Sequence, residues 1–242
     1  RCTPLGRELA HSIGRGLGLG GVTVVSGAAR GIDAAAHEGA LSEAGATLAV
    51  LGCGIDVSYP ASTRRLVERI RTAGTIVSEF APGMPPLQRN FPARNRIVAG
   101  LCRATVVVEG ADGSGSMITA EHAMEFGRDV YAVPGAITNP LSHVPLQLIR
   151  DGAAMIRGSD DLLADLGLEL APEQISLRVP FDEGERQVLD ELVGPTLPDR
   201  LASALGMGMT EVVQVLMRLE LRGFVRNVGG RYEPTLRART QG

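Results

Sequence analysis

Short apolar runs alternate with stretches of helical periodicity through the first 157 residues. The runs are rich in Val, Ile and Leu and are bounded by Gly, a pattern typical of strands buried on both faces. Strand–helix alternation predicts an α/β fold with a doubly wound, mostly parallel sheet. The predicted strands are Val22–Val25, Thr47–Leu51, Thr75–Ser78, Thr105–Glu109 and Val130–Val133, and the predicted helices are Arg7–Leu19, Ile32–Ala44, Ser62–Ala73, Phe91–Leu101 and Ser116–Gly127. No strand precedes the first helix, so we expect the sheet to lack its first strand.

The C-terminal third carries a different pattern. Residues 160–181 are acidic and weakly periodic, so we interpret them as a linker. Beyond them, Thr210 is a suitable N-cap for a helix with Val212 and Leu219 on its apolar face, and the Gly229-Gly230 turn predicts a hairpin. Three short helices and a hairpin predict a winged helix-turn-helix. The predicted domains are 1–159, 160–181 and 182–242.

Composition narrows the class of protein. A hydrophobic content of 44% supports a buried core, and no apolar run is long enough for a membrane span. The N-terminus does not resemble a signal peptide. Cys2, Cys53 and Cys102 are widely spaced and form no metal-binding pattern, so we expect reduced thiols in a cytoplasmic protein without a metal or cofactor.

The net charge of −3 conceals a strong asymmetry. All 24 basic residues are arginine, which binds phosphate through two parallel hydrogen bonds, although a GC-rich genome would give the same excess. Residues 161–191 hold nine acidic residues and two arginines. Residues 62–103 hold two glutamates and eight arginines, namely Arg64, Arg65, Arg69, Arg71, Arg89, Arg94, Arg96 and Arg103. This basic segment makes a polyanionic partner worth considering.

Three segments are candidates for that contact. Two are glycine-rich turns between a strand and a helix, where small residues and helix-start amides favour phosphate; they contain Ser26, Gly27, Arg30 and Gly31, and Ser114, Gly115 and Ser116. Asp33 is a candidate helix cap. The third segment offers arginines for phosphates and one ring for base stacking, and it contains Asn90, Phe91, Arg94, Asn95 and Arg96. The alternatives are plain βα turns and a solvated helix face with Phe91 in the core.

Catalytic candidates are weak. His37, His122 and His143 lack metal-ligand spacing, and Glu109, at the end of a strand, has no visible partner as a general base. We therefore predict no catalytic residues and no enzyme activity.

Six segments form an ordered set of motifs, namely SGAARGIDAAAH (26–37), AVLGCGIDVSYP (49–60), SEFAPGMP (78–85), NFPARNRIVAG (90–100), GSGSMITA (113–120) and YAVPG (131–135). In these motifs and their order, the chain closely resembles the DprA/Smf family of DNA-processing proteins over residues 1–156. The resemblance implies a Rossmann-like domain, a winged-helix tail and a homodimer that binds single-stranded DNA and helps load RecA recombinase during natural transformation. It also implies that Arg30 contacts DNA.

The chain departs from the family pattern in several places. The family's first strand, with its Gly-Ser-Arg end, has no counterpart before Arg1, and Asp112-Gly113 stands where many members carry a basic residue.

Two other functions remain open. One is a LOG-type nucleotide phosphoribohydrolase, although GSGSMIT replaces that family's PGGxGT loop and Glu121 is the nearest acidic candidate. The other is a winged-helix transcription regulator with a nucleotide-sensing α/β domain.

Overall fold

The computed structural model describes residues 2–168, 181–221 and 223–235. The chain divides into two compact units, residues 1–170 and 171–242. In the first unit the helices are α1 Pro4–Leu19, α2 Ile32–Ser42, α3 Arg64–Ala73, α4 Asn90–Leu101, α5 Gly115–Glu125, α6 His143–Arg150 and α7 Ser159–Asp165. The strands are β1 Val24–Ser26, β2 Thr47–Val50, β3 Thr75–Val77, β4 Ala104–Val107, β5 Asp129–Ala132 and β6 Ala154–Met155. The predicted Rossmann-like α/β class is confirmed.

All strand pairs of this unit are parallel, but they form two three-stranded sheets in the described residues, ordered β3-β2-β1 and β4-β5-β6. No described backbone pairing joins β1 to β4. Both strands instead line a cavity of about 670 Å³, whose apolar lining includes Ile13 and Leu162. One core cluster nevertheless takes residues from both sheets, among them Val24 and Tyr131. The missing first strand stays a prediction.

The predicted linker is wrong at its start, because residues 159–165 form α7. Leu162 and Leu163 of this helix are buried in the same core cluster as Ile13 of α1. Two aspartates in its first turn, Asp160 and Asp161, made the segment look like an acidic linker, although acidic residues stabilise a helix start. Residues 169–180 of the predicted linker lie outside the described residues.

The second unit has the predicted winged-helix elements: α8 Glu183–Glu191, α9 Pro198–Leu205, α10 Met209–Leu221, and the antiparallel pair β7 Val225–Val228 and β8 Arg231–Pro234. Its core holds Val188, Leu201, Leu216 and Phe224. A capping box between Asp182 and Glu185 begins α8. The last helix begins at Met209, two residues earlier than an N-cap at Thr210 predicts.

His37 of α2 is fully buried and joins that helix to the sheet. Its Nδ1 lies 2.6 Å from the Thr47 hydroxyl, which itself donates to the carbonyl oxygen of Val24. The ring nitrogen therefore donates, and Nε2 has no partner in the described residues. Burial lowers the pKa of His37 from 6.5 to about 4, since a proton on Nε2 would be desolvated.

This histidine predicts a pH-dependent stability. Because the unfolded state binds the proton more readily, the contribution of His37 is complete above pH 6.5 and is lost as pH falls toward 4, by about 3 kcal/mol in total. Urea unfolding of the wild type and of His37→Gln, which does not titrate, measures this. The wild type should lose more stability than the variant between those pH values, and equal losses would contradict the assignment.

Candidate nucleic-acid interface

The loops after β1 and β4 line one end of the cavity between these strands, and we call this end the opening. Most of the predicted site residues line it: Ser26, Gly27, Arg30, Phe91, Arg94, Asn95, Gly115 and Ser116. Gly31, Asn90, Arg96 and Ser114 were also predicted but are not among its lining residues. The carboxyl ends of parallel strands are where doubly wound folds bind ligands, so the polar end of the cavity is the candidate site.

The loop after β1 is held by Asp33 of α2. Its carboxylate Oδ2 accepts the backbone N–H of Gly27 at 3.1 Å and that of Ala29 at 3.3 Å. We expected free amides here for phosphate; that expectation is wrong for these two, because an internal carboxylate already takes them. The loop is thereby fixed without a ligand.

Arg30 is the group of this loop that remains available to an anion. Its side chain is exposed, and its Nε donates to the Ser62 hydroxyl at 2.7 Å. No described residue accepts from its terminal nitrogens. The next residue, Gly31, has a φ of +95° and gives α2 no side-chain cap. The Ala34 amide donates to the Ala29 carbonyl oxygen at 3.2 Å, whereas the amides of Ile32 and Asp33 have no acceptor in the described residues. Arg30 is therefore oriented but not neutralised.

Arg94 has a different role from the one predicted. Its residue is only 4% exposed, and its guanidinium donates to the carbonyl oxygens of Gly27, at 2.9 Å, and Val50. Burial lowers the pKa of Arg94, and the Asp33 carboxylate opposes that shift. A guanidinium enclosed in this way joins the ends of β1 and β2 to α4. Direct contact of Arg94 with DNA stays a prediction that this burial does not favour.

The second glycine-rich loop is joined to α4 by Asn95. The side-chain amide of Asn95 donates to the carbonyl oxygen of Gly115 at 3.0 Å. The hydroxyls of Ser114 and Ser116 lie 2.6 Å apart, and neither caps the first amides of α5. An uncapped helix start attracts anions through its free N–H groups and its dipole. This start lies at the same opening as Arg30.

The remaining predicted residues of α4 differ in burial: one is buried in the fold, one is partly buried and one lies on the surface. Asn90 is buried, and its Nδ2 has no described partner. Phe91 is partly buried and packs on the exposed ring of Tyr59, with ring centroids 5.6 Å apart. Arg96 is exposed but paired with Glu79. Of this segment, Phe91 and Asn95 remain the best placed for a ligand.

Glu109 has a partner that sequence reasoning missed. Its carboxylate accepts the backbone N–H of Thr3 at 2.8 Å and also the Thr3 hydroxyl, which in turn caps α1 by accepting from Gly6 N–H at 2.8 Å. The start of α1 is thus closed by the chain itself.

In the described residues, no group of three or more His, Cys, Asp or Glu suits a metal ion. The three cysteines are free thiols.

No local pattern identifies Ser62 as the residue that orients Arg30, because the two lie 32 positions apart. The same holds for Thr3 and Glu109, which are 106 positions apart. Asp33 was identified as a cap, but its bonds go to the loop before its own helix. Within the described residues, no helix is both long and apolar enough to cross a membrane.

The fold and this opening define a Rossmann-like α/β protein with an anion-attracting sheet edge and an attached winged helix. The family model described as DNA recombination-mediator protein A matches residues 1–167, and the DprA winged helix domain matches residues 169–231. The chain belongs to the DprA family of DNA-processing proteins.

Named relatives agree with this. Protein Smf of Escherichia coli is 41% identical over 90% of this chain and 61% of its own length, and DprA of Streptococcus pneumoniae is 46% identical over 68% and 58%. The crystal structure of the latter matches with a TM-score of 0.64 over 70% of this chain and 59% of its own. DprA of Helicobacter pylori, whose structure concerns its single-stranded DNA binding mode, matches at 28% identity and a TM-score of 0.61, over 69% and 75%. The chain spans about six-tenths of the length of Smf and of the pneumococcal DprA.

Arg94 and Arg30 should respond differently to substitution. Arg94→Met leaves two strand-end carbonyl groups without their buried donor, and we expect it to lower the free energy of unfolding by about 1–3 kcal/mol. Arg30→Ala removes an exposed side chain and should change that free energy by less than about 0.5 kcal/mol. Urea denaturation followed by circular dichroism compares them. Equal stability of the two variants would refute the structural role of Arg94.

Proposed function

We propose that this protein binds single-stranded DNA without sequence preference at the opening between the loops after β1 and β4. The observation that carries the proposal is the convergence there of the Arg30 guanidinium, the Asn95 side chain and the uncapped start of α5. These groups suit phosphate oxygens, and none of them is arranged to read base edges. Phe91 supplies an aromatic face for stacking, which every base satisfies.

Two carboxylates near the opening, those of Asp33 and Glu109, do not oppose this assignment, because N–H and O–H groups of the protein already donate hydrogen bonds to them. Asp33 accepts two loop amides, and Glu109 accepts from Thr3. The capped start of α1 argues against the nucleotide-binding alternatives, since a nucleotide phosphate in a Rossmann-like fold typically binds at the first helix start. Glu121 lies on the exposed surface of α5 and does not line the cavity, which disfavours the phosphoribohydrolase.

Family membership supports the rest of the proposal. We infer that the full protein acts in the cytoplasm as a homodimer, protects incoming strands during natural transformation and helps load RecA recombinase onto them. We keep the expectation that it is not an enzyme. A gel-shift comparison of single-stranded and duplex DNA, with and without RecA, tests these roles together.

Arg30 should be the most sensitive position for binding. Arg30→Ala should weaken binding to oligonucleotides of every sequence by about tenfold, or about 1.4 kcal/mol. It should also reduce the slope of log K against log salt by about 0.7, the value for one lost phosphate contact on a single strand. Fluorescence anisotropy at several salt concentrations measures both.

Arg128→Ala is the matched control. Arg128 is equally exposed, but it precedes β5 and therefore lies at the opposite end of the strands. Its loss should leave affinity and slope unchanged. If Arg30→Ala binds as the wild type does, the site assignment is contradicted. If the wild type does not bind single strands, the proposed function is contradicted.

The winged-helix unit is proposed to contact protein. Arg218 on α10 lies 3.1 Å from the Asp182 carboxylate and 3.7 Å from that of Glu185. Arg226 on the first strand of the hairpin lies 2.6 Å from Glu233. These pairs neutralise Arg218 and Arg226, while Met209 and Met217 of α10 are about half exposed.

Competition tests this assignment. Duplex DNA in excess should displace a labelled single strand from the whole chain only weakly, because the recognition-helix cation Arg218 and the hairpin cation Arg226 are already paired with carboxylates. Arg218→Ala should leave duplex affinity unchanged. Tight duplex binding that this substitution abolishes would support the transcription-regulator alternative instead.

A further inference from the structure

The outer surface of α3 carries arginines that the proposed site does not use. Leu66, Val67 and Ile70 face the core, whereas Arg64, Arg65 and Arg69 are exposed and have no acceptor in the described residues. In the same helix Arg71 differs, because its Nε lies 3.5 Å from the Glu68 carboxylate and its terminal nitrogen donates to the Ile55 carbonyl oxygen.

Two of the free arginines, Arg65 and Arg69, lie on the side of α3 that begins at Ser62, the hydrogen-bond partner of Arg30. The Ser62 hydroxyl, which accepts from Arg30, belongs to the short 3₁₀ turn Ala61–Thr63 that leads into α3. Positions 62, 65 and 69 are separated by three and four residues, so Ser62, Arg65 and Arg69 share one side of the helical segment. We call this side the α3 flank. With a rise of 1.5 Å per residue, Arg65 and Arg69 are about 6 Å apart along the axis.

The acidic groups around the flank leave it positive. Glu68 follows Arg65 by three positions and so neighbours it on the helix, but its carboxylate is already paired with Arg71. Glu38 of α2 is exposed on the helix side that also carries Ala34 and Leu41, which pack on the core cluster of α3. Glu38 makes no ion pair within the described residues. The three guanidinium groups of Arg30, Arg65 and Arg69 therefore outnumber the one nearby carboxylate, that of Glu38, which no cation of the described residues pairs.

We propose that the α3 flank binds the sugar–phosphate backbone of the same DNA strand after it leaves the opening at Arg30. Beyond the opening, a polyanion that contacts Arg30 gains further favourable contacts by following the adjacent unpaired cations, and the row from Ser62 to Arg69 provides two of them. The flank has no aromatic side chain, so it contributes charge without base stacking. This inference rests on the proposed function and extends its binding surface.

The experiment uses two lengths of oligothymidylate: one that covers only the opening and one several times longer. Arg65→Ala/Arg69→Ala should bind the short oligomer like the wild type and the long one about tenfold more weakly. The slope of log K against log salt for the long oligomer should fall by about 1.4, for two lost contacts. Arg30→Ala, in contrast, should weaken both lengths.

Two further variants separate position from overall charge. Arg128→Ala/Arg150→Ala removes the same charge from exposed positions at the opposite end of the strands and should bind both lengths normally. Arg65→Lys/Arg69→Lys keeps the charge and should restore the slope. The inference would be wrong if Arg65→Ala/Arg69→Ala bound the long oligomer like the wild type, or if the control variant lost as much affinity. Either result would leave the assignment of the Arg30 site unaffected. Absence of any single-strand binding by the wild type would overturn the proposed function as well.

Discussion

The enclosed guanidinium of Arg94 is the interaction on which the candidate site depends. A charged group so far from water is tolerated only where acceptors surround it. Arg94 finds them in the carbonyl groups of Gly27 and Val50, at the carboxyl ends of β1 and β2, and in the nearby charge of Asp33. The same Asp33 holds the amides of the loop after β1. One cation and one carboxylate thus fix the loop that presents Arg30, while Asn95, the next residue of α4, holds the other loop.

Sequence patterns predicted those parts of the fold that local chemistry controls. Buried Val- and Ile-rich runs located β1 to β5, and apolar periodicity located the winged-helix elements, each to within a few residues. Three elements escaped: α6, with Pro145 in its first turn, the two-residue strand β6, and α7, whose acidic start resembled a linker. Periodicity is weak in segments this short, and tertiary packing decides them. The separation into two three-stranded sheets depends on pairing between distant residues, which no local pattern records.

For the candidate site, sequence patterns located both glycine-rich loops between a strand and a helix, as in the structure, but not the direction of each side chain. Arg94 and Arg96 stand two positions apart, yet one is buried and the other lies on the surface beside Glu79. Their difference follows from which side of α4 faces the strands, and the mixed composition of that helix hides it. The sequence pattern also could not predict hydrogen-bond partners that lie far apart along the chain, such as Ser62 for Arg30. The family assignment identifies the protein class, whereas the contacts show which arginines are free.

The carboxylate of Asp33 has a consequence for the speed of binding. Because this side chain, and not the incoming strand, organises the loop after β1, little backbone freedom remains to be lost when a strand arrives. Under the proposed function, association requires no folding of this loop, and counterions that replace the protein's cations along the strand favour release. Exchange of the bound strand then depends on ionic conditions rather than on a rearrangement of the loop after β1.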